Sequence, residues 1–143
     1  MSSERFVRWQ SNTLNQLSFA INLFLGLATA ALGFCVSLLI DEKFVPSGRA
    51  KYLFTLALFC QMFSLFFGIV AVITRTLDFR FTARIARNVE KSRDEAQTEL
   101  LRRRVKKLGR ITWFSFWAEI GFFVLGILSL ITHIMITYSQ KLL

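Results

Sequence analysis

Glu119 is a carboxylate placed alone in a long apolar stretch, Ile111–Ile136. An ionised carboxyl in apolar surroundings is costly unless it is paired, neutralised or used. In a lipid setting such a residue marks an ion or proton path, or a contact between helices. Asn22 in the stretch Leu17–Ile40, and Gln61 with Ser64 in the stretch Tyr52–Ile73, lie at broadly similar or deeper levels. They are the candidate hydrogen-bond partners of Glu119 if those faces converge. A structural bond between helices or subunits is the first reading, and an ion- or proton-handling role the second.

The remaining reactive types carry less. Cys35 and Cys60 fall inside the first two apolar stretches, where a thiol behaves as a small apolar side chain. His133, near the far end of the third stretch, has no Cys, His or carboxylate at ligand spacing and reads as interfacial. The sequence contains no phosphate-cradling glycine loop and no zinc motif, and no nucleophile–base pairing can be seen in it. No catalytic, cofactor-binding or metal-ligating residue is therefore assigned, and enzymatic activity is not expected.

The elements that must position these residues follow from length. Each apolar stretch exceeds the roughly 20 residues that a helix needs to cross a bilayer. In lipid the backbone must satisfy its own hydrogen bonds, so runs of this length predict helices. The expected fold class is an all-α integral membrane protein with three transmembrane helices, spans two and three extending into a cytoplasmic helical hairpin. More than half of the 143 residues are hydrophobic and 16 are Phe, yet the net charge is +9, a mixture that fits a membrane protein with basic flanks. Arg5 and Arg8 ahead of the first stretch raise the alternative of a cleaved secretory signal. The stretch is too long for a signal's apolar region, so span one is expected to be retained.

The resulting layout is one membrane domain. Residues 1–16 form an interfacial segment, with 3–14 expected as a helix lying on the inner membrane surface. Span one occupies 17–40, an outer loop 41–51, span two 52–73, a basic cytoplasmic hairpin 74–110, span three 111–136 and an outer tail 137–143. Val45-Pro46-Ser47-Gly48 reads as the turn between two antiparallel helices.

Charge sets the orientation. Fourteen Lys and Arg fall in the N-terminal segment and the 74–110 segment, against four in the outer loop and C-terminal tail. Basic residues favour the cytoplasm, so the N-terminus is expected inside and the C-terminus outside, in a bacterial inner membrane. Trp9 and Trp113 would anchor the inner interface, and Tyr52 and Tyr138 the outer one.

Within 74–110 the chain keeps helical periodicity. Leu77, Phe81, Ile85 and Val89 recur every four residues, and a second stripe runs through Ala96, Leu100, Leu101, Val105 and Leu108. Ser92-Arg93-Asp94-Glu95 matches a capping box, which predicts that the chain turns back there, and Gly109 precedes the third span. Arg80, Arg84, Arg87 and Lys91 share a face, and Arg102, Arg103, Arg104, Lys106 and Lys107 make a denser cluster. Twelve basic against five acidic side chains in this segment predict contact with anionic lipid headgroups, then with an acidic protein partner. Nucleic acid is the least favoured partner, because no recognised binding motif frames the basic residues.

Small residues predict self-association. Gly26, Ala30, Gly33 and Ser37 line one face of span one, and Ala118, Gly121, Leu125 and Ser129 form a looser version in span three. Such stripes let helix backbones approach closely. The expectation is a small, non-enzymatic, homo-oligomeric scaffold or accessory subunit acting through its basic hairpin. The alternative is an oligomeric channel or membrane-permeabilising effector with Glu119 near the path, and the third reading is a membrane tether for nucleic acid.

Overall fold

The computed structural model describes the backbone of residues 2–41, 48–90 and 95–138, with side chains over 15–41, 48–88 (Arg49 excepted) and 97–138. Three helices account for almost all of it: α1 (Ser2–Ile40), α2 (Gly48–Glu90) and α3 (Glu95–Thr137). Each is long and apolar enough to cross a membrane. At 39, 43 and 43 residues they are about 58–64 Å long, roughly twice the ~30 Å hydrocarbon thickness.

Helix is sustained through polar positions by local bonding. Thr29, Thr55, Thr76 and Thr132 each return their hydroxyl proton to the carbonyl four residues back, at 2.8–2.9 Å. A hydroxyl bonded this way adds no unmet donor to an apolar surface. The single proline, Pro46, falls between α1 and α2. Gly48 opens α2 with a φ of 56°, a left-handed conformation that costs glycine nothing.

One boundary differs from the sequence expectation. Residues 3–14, expected as a helix of their own, are the first turns of α1, which continues unbroken from Ser2 to Ile40. α3 continues through Gly109 from Glu95 to Thr137. The capping residue Ser92 and most of the Val45–Gly48 turn lie outside the described residues.

α2 and α3 form the principal interface, and α1 packs mainly on α2. Cross-helix contacts between α2 and α3 run in one antiparallel register: Ala50 with His133, Ser64 with Glu119, and Thr74 with Thr112. The buried positions of α2 include Phe54, Ala57, Gln61, Ser64, Gly68 and Ala71; those of α3 include Thr112, Ser115, Glu119, Gly126 and His133. Steps of three and four alternate in α2, and all the α3 positions fall on the same 3.5-residue repeat, which is that of a left-handed supercoil. The seam is built from small and polar side chains, the composition by which helices associate in an apolar medium. Beside it, Phe67 stacks on Phe122 (centroids 5.6 Å apart, 5° between planes), flanked by Phe63 and Phe114.

α1 presents Ile21, Ala28 and Cys35, spaced by seven, to the other helices. Two apolar clusters result. Cys35, Phe54, Ala57 and Leu130 gather at one end, and Ile21, Ala71 and Phe116 at the other. The polar residues Gln61, Ser64 and Glu119 lie between them.

Candidate functional site: a buried carboxyl in the α2–α3 seam

Glu119 is 0% exposed, and among the described residues neither carboxyl oxygen has a hydrogen-bond partner. Its place is made by Gly68. A Cβ at that position would stand 2.5 Å from Glu119 Oε1 and 2.7 Å from Leu25 Cδ1. The carboxyl therefore occupies the space of a missing side chain on α2, at a point that α1 also reaches through Leu25.

One rung away the arrangement repeats in the opposite sense. A Cβ at Gly126 of α3 would come within 2.6 Å of Gln61 Nε2. Gln61, also 0% exposed, donates a long 3.5 Å bond from Nε2 to the Phe123 carbonyl, while its Oε1 is unpartnered. Ser64, midway, donates to the backbone carbonyl of Glu119 at 3.0 Å. Each long polar side chain thus rests against a glycine of the opposite helix.

The expected partners of Glu119 are only partly brought together. Gln61 and Ser64 share its seam, but their protons go to backbone carbonyls, which leaves the carboxyl unmet. Asn22 is on a different face: it is exposed and lines a groove between α1 and α2 with Arg75. It also stands at a different level, beside Val72 and Arg75, whereas Leu25 is the α1 residue beside Glu119 and Gly68.

His133 is buried between α2 and α3, level with Ala50 near the start of α2. Its Nδ1 lies 2.8 Å from the Ala50 carbonyl, which requires the proton on Nδ1, and its ring packs 5.3 Å from that of Phe54. Toward the other end, Thr112 donates 2.9 Å to Thr74 Oγ1, whose own proton serves carbonyls of its helix. Cys35 and Cys60 are buried and free. Among the described residues no three His, Cys, Asp or Glu side chains gather as a metal would require.

The small-residue stripe of α1 faces away from the seam. Gly26, Ala30, Gly33 and Ser37 are all exposed, and a Cβ at Gly26 or Gly33 would meet nothing within 4 Å. Gly121 is likewise exposed with open space above it.

The basic side chains Arg80, Arg84, Arg87, Arg102, Arg103, Arg104, Lys106 and Lys107 are exposed, and Lys91 lies outside the described residues. Arg103 meets Glu99 one turn back at 3.6 Å, an exposed pair of little energetic consequence. Phe81, Ile85, Leu101, Val105 and Leu108 are half-buried, while Leu77 and Leu100 are exposed. A groove of about 320 Å³ lies between these parts of α2 and α3, with Arg84, Asn88, Gln97 and Arg104 around Leu100 and Leu101.

No family model, curated protein or solved structure matches the chain.

Proposed function

We propose that this chain is a three-span inner-membrane protein that assembles with copies of itself and serves, without catalysis, as a scaffold or accessory subunit. The observation that carries the reading is the open face of α1: Gly26, Ala30, Gly33 and Ser37 are exposed while Ile21, Ala28 and Cys35 are buried. Packing within one subunit leaves this stripe unused, and close backbone approach by a second copy is the contact such a stripe favours. The N-terminus and the 74–110 segment face the cytoplasm, where the Arg- and Lys-rich ends of α2 and α3 meet anionic headgroups or an acidic protein partner. Because α2 and α3 are single helices from the apolar region into these arms, an arm that binds a partner is mechanically continuous with the Glu119 seam.

Replacing Gly26 and Gly33 by Ile tests the reading. Cross-linked oligomers should decline while membrane insertion is unchanged. Undiminished oligomers would remove self-association through α1.

A second reading has its own support. An oligomeric channel or membrane-permeabilising effector would use Glu119, whose unpartnered carboxyl is the kind of group that an ion or proton path retains. Flux through the purified protein in liposomes, changed by Glu119→Gln with assembly intact, is the outcome that favours it. Absence of flux from the parent protein removes it.

A further inference from the structure

In the basic arms of α2 and α3, one leucine stands apart from the other apolar side chains. Past Phe79, Phe81, Ile85, Leu101, Val105 and Leu108 are half-buried, whereas Leu100 is 61% exposed. With Leu101 it floors the groove of about 320 Å³ between the arms, which Arg84 and Asn88 line from α2 and Gln97 and Arg104 from α3. Gln97, Leu100, Leu101 and Arg104 follow i, i+3, i+4, i+7 spacing, one helix face over two turns.

The height of the groove sets it apart from lipid. Arg84 and Asn88 come eleven and fifteen residues after Ile73, and Gln97 and Arg104 fourteen and seven before Ile111. At 1.5 Å per residue these positions stand about 10–22 Å beyond the ends of the apolar stretches. A headgroup layer extends only about 5–8 Å past the hydrocarbon. Leu100 is thus exposed to water, where an apolar side chain gains by being covered.

We propose that this groove is the docking site for an acidic amphipathic helix of a cytosolic protein. Its apolar residues would sit on Leu100 and Leu101, and its carboxylates on Arg84 and Arg104. The proposal rests on the cytoplasmic placement of the arms put forward above.

Charge complementarity selects the partner. Among the described residues, neither guanidinium has an ion-pair partner and neither Asn88 nor Gln97 makes a side-chain hydrogen bond. Glu99, one residue before Leu100, is engaged by Arg103. A guanidinium takes a carboxylate through two parallel bonds, and the amides supply both donors and acceptors for polar side chains flanking an apolar stripe. An apolar floor between polar walls is the form of groove into which an amphipathic helix lays its apolar face. Nucleic acid fits less well, because the lining offers two cations to a polyanion and no aromatic ring on which a base could stack.

The test uses the full chain in phosphatidylcholine nanodiscs, with empty nanodiscs as the blank. The probe is a fluorescent synthetic helix of about 18 residues, with Leu at i, i+3, i+4 and i+7 and Glu flanking that stripe. A scrambled peptide of the same composition should bind at least about tenfold more weakly, since only an ordered stripe reaches the floor. Arg84→Gln and Arg104→Gln should each weaken the striped peptide about tenfold, the scale of a charge-assisted bond. Leu100→Gln, at an exposed position, should cost a factor of about ten through the lost apolar contact. Arg102→Gln removes an equal charge from a neighbouring position of α3 outside the groove, and should leave binding unchanged. Equal binding of striped and scrambled peptides, equal losses in Arg102→Gln and Arg104→Gln, or displacement of the striped peptide by single-stranded DNA at matching charge would each overturn the proposal. Labelling of Ser92→Cys by a membrane-impermeant maleimide is measured alongside, in inverted and right-side-out vesicles. Labelling confined to right-side-out vesicles would count against the cytoplasmic placement itself, whereas labelling confined to inverted vesicles without preference for the striped peptide counts against the groove alone.

Discussion

The carboxyl of Glu119 fills the space that a side chain at Gly68 would occupy, so the identities of these two residues on α3 and α2 depend on each other. Gly68→Ala would push a methyl to 2.5 Å from Oε1 and 2.7 Å from Leu25. The expected cost is about 1–2 kcal/mol, the usual scale of overpacking. Glu119→Ala vacates that space, so in reversible unfolding the double variant should recover at least about 1 kcal/mol relative to additivity. Gly109→Ala provides the contrast: with open space around it, it should gain ~0.5–1 kcal/mol from helix propensity. Strict additivity of Gly68→Ala and Glu119→Ala would show that the two do not touch.

Glu119 itself should be replaceable without loss of stability. Breaking a satisfied buried bond is destabilising, because it leaves the other partner unmet. Here the carboxyl oxygens have none, and Ser64 bonds to the backbone carbonyl, which any residue at position 119 keeps. Glu119→Leu and Glu119→Gln are therefore expected to be neutral or stabilising by up to about 2 kcal/mol. A marked loss of stability in Glu119→Leu would mean that the carboxyl is bonded in the assembled protein, most directly by a second copy.

The difference between what could and could not be read in the sequence lies in this seam. Three apolar stretches were enough to place three helices, since length and backbone satisfaction leave no other element. Which face of each helix meets its neighbours was not legible from hydrophobicity. In an apolar medium Leu gains as much from solvent as from protein, so apolar periodicity does not point inward. Leu56, Phe59, Phe63 and Phe66 of α2 illustrate this: all four are exposed, while the small Ala57 and Ser64 between them are buried. The informative pattern was the small and polar one, Ala57, Gln61, Ser64, Gly68 and Ala71, read at 3.5 residues per turn. Asn22 differs from Glu119 in level as well as in face, standing beside Val72 and Arg75 while Glu119 rests on Gly68. The small residues of α1 were visible at once, yet they mark an open face and not the subunit's own core.

The Thr74–Thr112 bond should behave as a coupled pair. The Thr74 proton serves a carbonyl of its own helix, and the Thr112 proton has the Leu108 carbonyl at 3.0 Å as an alternative acceptor, so either residue can lose its partner without stranding a proton. Thr74→Val and Thr112→Val are each expected to cost about 0.5–1.5 kcal/mol. The double variant should cost little more than either single one, because both delete the same contact. Equal and additive losses would place the importance of these residues in helix-internal bonding.

Orientation supplies the final expectation. α2 and α3 are each about 64 Å long, so a bilayer core of ~30 Å leaves long portions of both outside it. The apolar stretches Tyr52–Ile73 and Ile111–Ile136 place that excess at the end carrying twelve of the eighteen basic side chains. Moving so many cations across a membrane is what basic flanks oppose, and this end is therefore expected in the cytoplasm. A reporter inserted at Ser92 should give cytoplasmic signal, and one fused after Leu143 should report from the far side. Signal from the same compartment at both sites would mean that α3 does not cross, and the excess helix would then have to be accommodated along the membrane surface. Reversed signals at the two sites would instead keep three crossings and place the basic arms outside, which removes an intracellular partner for them.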